Sequence, residues 1–532
     1  MFYAAFRASR FLVTVTMDSS LLSSPFTLLL ITLIVIGVIK VIAIIYNMYF
    51  YWKNKGVPYL PESLPSLLTD WKMLLGRISF VNYCQYIYDY FPNAKYIGIM
   101  DATTPAVLLR DPELIKDIMV KDFEHFLDHR TFVDEDMEPL FGKNIFFLRG
   151  DRWREMRTIL SPSFTASKMK FMFNLISKCS KDFVDYLADH PEICQAIETK
   201  GAFRRYTNDV IATAAFGISV NSMKDQDNEF YKRGVEATKF SSGLLTTAKF
   251  IFMRECPRLA KWMGITFFPT TTATFFKTVV EETIKAREEQ GIVRPDMIHI
   301  LMQAWDKKDS SVHKMTIDDI VSQAFIFFLA GFDTTSTLMC FAIHELAVNQ
   351  EIQNRLRKEV QLYLAEGNGE ISYDSLSKMS YMDMVISEAL RKYPPVVFLD
   401  RICTKKYELP PAGPGYKNVI LKPDSLLMFP IYGLHRDPQY FPNPNKFDPE
   451  RFSEENKDNI VPYSYLPFGQ GPRKCIGNRF ALMETKILIA HLLQKFTLKT
   501  MEKTVEPIVY DKNEFTLQPV GGFWISLEKR EK

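Results

Sequence analysis

The chain is 532 residues long and carries 65 Lys and Arg against 62 Asp and Glu, a formal net charge of +3. That balance is too slight at this length to point to nucleic acid. Hydrophobic residues make up 47% and aromatic residues 14% of the chain, ample for a large core, which sets intrinsic disorder aside.

In chain order, Met1 to Thr16 carries Arg7 and Arg10 with no acid, faintly like a transit peptide, and Met17 is an equally good start. Residues 1–25 are therefore set apart as an extension. Residues 26–46 are apolar except for Thr27, Thr32 and Lys40, long enough for a transmembrane signal anchor, with Lys40 snorkelling to one face. Tyr46, Tyr49, Tyr51 and Trp52 supply an aromatic belt, and Lys53 and Lys55 keep the downstream chain cytosolic. Gly56-Val57-Pro58 and Pro61 complete a basic, proline-containing hinge over 47–61. Such a span is a good endoplasmic-reticulum anchor and a poor matrix-import sequence, which puts the reticulum ahead of the mitochondrion. Residues 62–532 follow as one body without repeats or linkers.

Within that body Tyr96–Met100, Ala106–Leu109, Val419–Leu421 and Phe523–Leu527 read as strands, and helical periodicity dominates from about Asp151 to Lys392. Trp153 and Arg157 share one helical face at i, i+4. A long apolar helix from about Thr316 to Asn349 contains Ala330-Gly331-Phe332-Asp333-Thr334-Thr335. Gly331 and two threonines lower helix propensity there, so something other than helix stability favours them. Ala330 and Gly331 leave room for a flat cofactor, and a threonine bonded to the preceding turn opens the helix to water. Glu388 and Arg391 form an i, i+3 pair closed by Pro394-Pro395, with Pro449-Glu450-Arg451-Phe452 downstream.

The cysteines at 84, 179, 194, 256, 340, 403 and 475 form no CxxC pair and no metal-finger spacing, as expected for reduced thiols facing the cytosol. Cys475 stands apart, closing Phe468-Gly469-Gln470-Gly471-Pro472-Arg473-Lys474-Cys475-Ile476-Gly477. A lone thiolate in such a loop suits the axial position of a haem iron. The glycines let the backbone turn tightly against the cofactor. Arg473 forks onto a propionate, and Phe468 shields the sulfur.

This loop resembles the cysteine signature of the cytochrome P-450 family, the haem-thiolate monooxygenases, and the likeness runs from about Trp52 to the C-terminus. It implies a mainly α fold with small β-sheets, forming a single large domain that holds haem b (iron protoporphyrin IX) and reacts with O2. It implies Cys475 as the iron ligand, with Asp333 as the acid and Thr334 as the alcohol of a proton relay. Trp153, Arg157, Arg401 and Arg473 would surround the propionates, and Ala330 and Phe468 would lie against the cofactor. Glu388, Arg391 and Arg451 would form a buried structural network bracing the loop. The hinge resembles that of microsomal members, and the motif variants resemble insect members that oxidise foreign chemicals.

Mapped from the same family, the substrate candidates are Phe146, Ile326, Phe327, Val397, Phe398 and Phe515, with Ala330 beside them, all apolar as a lipophilic substrate requires. Arg152, Arg154, Lys474, Arg479 and Lys486 suggest a basic docking face for an acidic redox partner. The chain has no dinucleotide fingerprint or P-loop, so NADPH electrons would arrive through a flavoprotein reductase in the same membrane, with cytochrome b5 as a further partner. The stretch Gly243–Phe276, rich in Leu, Ile, Phe and Met, is expected to touch the membrane. Two other readings stand beside the monooxygenase: a haem-thiolate isomerase or dehydratase of hydroperoxides, and a non-enzymatic haem sensor.

Overall fold

The computed structural model describes residues 25–60, 72–73, 75–101, 104–131, 135–239, 244–294, 296–306 and 315–531. All of the N-terminal extension but Pro25 lies outside them, as does Pro61 of the hinge. Helix α1 (Pro25–Asn54) runs unbroken through the expected span and half of the hinge, and its apolar side chains, among them Phe26, Leu33 and Ile42, stand exposed. The aromatic belt needs one correction. Tyr46 and Tyr49 are exposed, but Trp52 is only 2% exposed, and its indole donates to the Ile99 carbonyl at 2.9 Å. Gly98 makes room for it: a Cβ there would sit 2.4 Å from the ring. Trp52 therefore packs into the body rather than standing at an interface.

The helices that build the site are α2 (Gly150–Leu160), α3 (Ala166–Asp189), α4 (Thr199–Ile211), α5 (Ile317–Ala330), α6 (Ser336–Val348), α7 (Ser380–Lys392) and α8 (Asn478–Lys495). Helices α5 and α6 are one axis joined by a widened π-helical turn, Gly331–Thr335. Thr316 and Asp319 cap its start reciprocally, and Asn349 ends it, matching the sequence expectation. Among the described residues Ile317–Val348 is the one helix long and apolar enough to cross a membrane, but 61% of its most apolar stretch is buried in the protein. It is the core axis.

The strands are β1 (Tyr96–Asp101), β2 (Thr104–Leu109), β3 (Ile197–Glu198), β4 (Leu399–Ile402), β5 (Tyr407–Leu409), β6 (Val419–Leu421), β7 (Leu426–Phe429), β8 (Phe496–Lys499) and β9 (Trp524–Lys529). They form sheets ordered β1-β2-β7-β4, β3-β9-β8 and β5-β6. In the first, β7 runs parallel to β2 and antiparallel to β4, pairing Leu427 with Arg401. Alternation then sends Leu399 and Arg401 to the same side of β4. One large apolar cluster gathers α3, α6, α7 and α8. A second gathers α2, α5 and residues after α4.

Candidate active site

Between those two clusters lies a cavity of about 340 Å³ with a mainly apolar wall. Trp153 and Arg157 reach it from α2, Met172 from α3, Ile326, Phe327 and Ala330 from α5, and Thr334 and Thr335 from the widened turn. Leu399 and Arg401 enter from β4, Phe468, Arg473 and Cys475 from the cysteine loop, and Phe480 and Ala481 from α8. All seven predicted cofactor-binding residues thus meet in one place, together with Thr334.

The loop's shape follows from its glycines. Gly469 and Gly471 have φ of +67° and +74°, a conformation that disfavours any side chain. A Cβ on Gly471 would lie 2.0 Å from the Met119 carbonyl oxygen. The Cys475 N–H donates back to the Phe468 carbonyl at 2.9 Å, and Arg157 Nη2 donates to the Lys474 carbonyl at 2.8 Å. Cys475 is open to the cavity while protein encloses it elsewhere. Burial pushes its thiol pKa up, against the Gly477 N–H and the charges of Arg157 and Lys474.

Glu388, Arg391 and Arg451 come together. Arg391 is bidentate on Glu388, at 2.7 and 2.9 Å, and both side chains are buried. Arg451 Nε stands 3.4 Å from the same carboxylate, which also accepts the Asp448 N–H at 2.9 Å. Arg391 Nη1 donates to the His435 carbonyl at 3.0 Å, and His435 Nε2 accepts the Leu466 N–H at 2.8 Å. Tyr465 donates to the Ser387 carbonyl at 3.0 Å. Helix α7 is therefore tied directly to the segment entering the cysteine loop.

The cavity's charged edge departs from expectation at one residue. Arg473 does not point its fork outward: its donors go to the carbonyls of Leu127, Ile145, Phe146 and Leu148, at 2.8 to 3.3 Å, with Asp128 at 3.4 Å. Its guanidinium stacks 4.1 Å from the Trp153 ring. Arg401 Nη1 meets the His129 ring at 3.1 Å and the Asp400 carbonyl at 2.7 Å, while its buried Nε has no partner. His129, stacked on Phe146 at 4.3 Å and bonded to Asp400 at 3.2 Å, also lines the cavity. Burial, then the Arg401 charge, holds its pKa down to about 4. A buried guanidinium with an unused donor, Arg157 lining the same cavity, apolar walls and a cysteine sulfur at the rim together fit a flat dianionic haem.

In the widened turn, Thr334 Oγ1 donates to the Ala330 carbonyl at 2.6 Å, the back-bond expected to open the helix. Asp333 faces away from the cavity. Its carboxylate bonds Lys200 Nζ at 2.9 Å and Arg204 Nη2 at 2.6 Å. Burial would raise its pKa, but these two cations together overcome that and hold it near 2. Gly331 serves packing as well as cofactor approach, since a Cβ there would come 2.4 Å from Ile211 Cδ1 of α4. Lys200, Arg204 and His129 were missed in the sequence. The one available signal was the i, i+4 basic pair on α4.

Of the substrate candidates, Phe146, Ile326 and Phe327 line the cavity. Val397, Phe398 and Phe515 lie outside its lining: Val397 is in the main core, and Phe80 packs on Phe398 and Phe515 at 6.2 and 5.6 Å. Their neighbour Val396 takes the cavity position. Of the basic residues, Arg152 pairs with Glu135 at 2.8 Å, Arg154 with Glu124 at 2.6 Å and Lys486 with Asp383 at 2.5 Å. Arg479 is exposed and Lys474 half-buried.

The chain matches the family described as Cytochrome P450 over residues 74–525. It is 46% identical over 509 residues to Cytochrome P450 9e2 of Blattella germanica, covering 90% of this chain and 94% of that one. Against Probable cytochrome P450 9f2 of Drosophila melanogaster it is 40% identical over 496 residues, 90% and 95% of the two chains. Against Cytochrome P450 6k1 of Blattella germanica it is 36% identical over 525 residues, 93% and 97%.

Proposed function

This chain belongs to the cytochrome P450 family and is an oxidoreductase of the monooxygenase class, and from that premise we propose that it inserts one oxygen atom from O2 into lipophilic small molecules, either xenobiotics or endogenous lipids. The observation that carries this is the apolar cavity onto which Cys475, Thr334 and a buried, partly unpaired arginine edge all open. Bound haem supplies the chemistry of O2 activation. Cys475 Sγ would hold its iron, Arg157 and Arg401 would neutralise its carboxylates, and Trp153 and Phe468 would pack against it. Phe146, Ile326 and Phe327 would exclude water and orient an apolar substrate.

Proton management falls to the widened turn. Thr334 Oγ1 donates to a backbone carbonyl at the cavity wall and is free to accept from water. Asp333 is ionised, held between the buried Lys200 and the half-buried Arg204. Letting go of one cation turns its carboxylate between the outside and Thr334, which lets it carry a proton inward.

Electrons would come from NADPH through a flavoprotein reductase, with cytochrome b5 as a second donor. The docking face contracts to Lys474 and Arg479, since Arg152, Arg154 and Lys486 are already paired. Helix α1 would anchor the protein in the endoplasmic-reticulum membrane with the body cytosolic. Exposed Leu259, Trp262 and Met263, the last two 83% and 54% accessible, would rest on the same membrane. The test is the absorption spectrum of the reduced protein with carbon monoxide. A strongly red-shifted Soret band, lost in Cys475→Ser, is expected; a band at the ordinary histidine-ligated position refutes the thiolate site.

A further inference from the structure

Arg401 is the buried cation at the cavity edge, and the strand that carries it has an extra partner. The Ile402 N–H donates to the Asp128 carbonyl at 2.7 Å, forming an isolated antiparallel bridge beside β4. That bridge sets the next residue, His129, against Arg401, and both line the cavity. The His129 ring also stacks on Phe146, with ring centroids 4.3 Å apart.

The neighbours of His129 decide where its hydrogen sits. Asp400 accepts the Arg130 N–H at one oxygen, 2.6 Å away, and its other oxygen lies 3.2 Å from His129 Nδ1. Burial would raise the Asp400 pKa, but His129 and Arg130 hold it below the ordinary carboxylate range. An ionised carboxylate only accepts, so Nδ1 carries the hydrogen. Burial and the Arg401 charge keep the ring uncharged, with its pKa down to about 4. Nε2 is then a bare lone pair, which has no proton to offer a haem carboxylate. It faces Arg401 instead: Nη1 lies 3.1 Å from Nε2 and 3.2 Å from Nδ1, and donates to the Asp400 carbonyl at 2.7 Å. Nη1 is thus spent and Nε is enclosed, which leaves Nη2 as the donor without a partner among the described residues.

We propose that His129 is a positioning residue: anchored by Asp400, its ring pins Nη1 of Arg401 and so presents Nη2 to a haem carboxylate. This role rests on the haem reading above. His129 acts on the cofactor only through Arg401, as an uncharged group with one donor and one acceptor. A guanidinium fixed in this way gives up less freedom when it binds a carboxylate than one left to rotate.

The experiment uses haem-loaded full-length protein and follows the propionate bending band by resonance Raman spectroscopy, since that band rises in frequency as hydrogen bonds to the haem carboxylates strengthen. His129→Phe retains a ring against Phe146 but loses both nitrogens. It should move the band to lower frequency and speed haem transfer to an acceptor apoprotein by about tenfold. His129→Gln, whose amide supplies one donor and one acceptor, should restore the band and bring the rate within about twofold of wild type. Asp400→Asn, with one acceptor oxygen in place of two, should shift the band the same way, and it carries the comparison if His129→Phe does not fold. In an Arg401→Lys background, His129→Phe should shift the band no further. Faster haem loss with the band unmoved is what a general loosening of the fold would give, and it overturns the positioning role; so does a shift that persists in Arg401→Lys. A folded wild type that takes up no haem overturns the haem reading and the positioning role together.

Discussion

Asp333 and Lys200 sit 2.9 Å apart with the Lys200 side chain only 8% exposed, so their coupling should be measurable against unfolding. Asp333→Asn strands the ammonium. Losing one partner of a buried pair costs about 3–5 kcal/mol in general. Here the loss should be smaller, about 3 kcal/mol, because Lys200 Nζ keeps Ser336 Oγ at 3.3 Å and Thr337 Oγ1 at 2.5 Å and burial already pulls its pKa down. Lys200→Met leaves Asp333 on Arg204 and should cost about 1 kcal/mol. The double variant should lose only about 2 kcal/mol, a coupling near 2 kcal/mol. The pKa gives the same scale: Asp333 is lowered from 3.8 to about 2, worth about 2 kcal/mol. Because the folded pKa is the lower one, that stability is present above about pH 4 and lost as pH falls toward 2. Urea unfolding of the four proteins, followed by far-UV circular dichroism, checks this. Additive single losses, within about 0.5 kcal/mol, would refute the coupling.

Glu388→Ala strands Arg391 inside the brace and should lower stability by about 3–5 kcal/mol, read as faster haem transfer to an acceptor apoprotein. Gly471→Ala drives a Cβ into the Met119 carbonyl and should yield protein with little thiolate-type carbon monoxide spectrum. His129, held near 4 against an ordinary 6.5, contributes stability present above about pH 6.5 and lost as pH falls toward 4. Wild type should therefore lose about 2–3 kcal/mol across that window, and His129→Gln should show a flatter urea-midpoint profile. Thr334→Ala should raise NADPH consumed per product by about tenfold or more, with peroxide released; unchanged coupling removes Thr334 from the proton path.

The central axis was legible almost to the residue, because a capping box, apolar run and terminal Asn are local signals. So were the four strands named from the sequence and the cysteine loop, whose glycines encode their own φ angles. The contacts of Asp333 were not: Lys200 and Arg204 lie more than a hundred positions away, and nothing local says which acid a basic pair will meet. Arg473 illustrates the same limit, since its residue type permits a propionate fork and backbone carbonyls equally. Val396 and Val397 differ only in which way the bent backbone after Pro394-Pro395 turns them, a choice made by tertiary packing. Trp52 looked like an interfacial aromatic because the glycine that receives it, Gly98, is in another segment.

The tie between α7 and the cysteine loop bears on the order of events during synthesis. Glu388 and Arg391 leave the ribosome before His435, Arg451 and Leu466, and the cysteine loop emerges after these. Each bond from α7 spans dozens of residues or more, so none forms until most of the chain is available, and contacts of such sequence separation are late and slow to close. The sulfur's pocket is consequently among the final features to take shape. Cofactor uptake should then be essentially post-translational, and a cell short of haem would accumulate chains whose helical body is complete and whose cysteine loop is waiting.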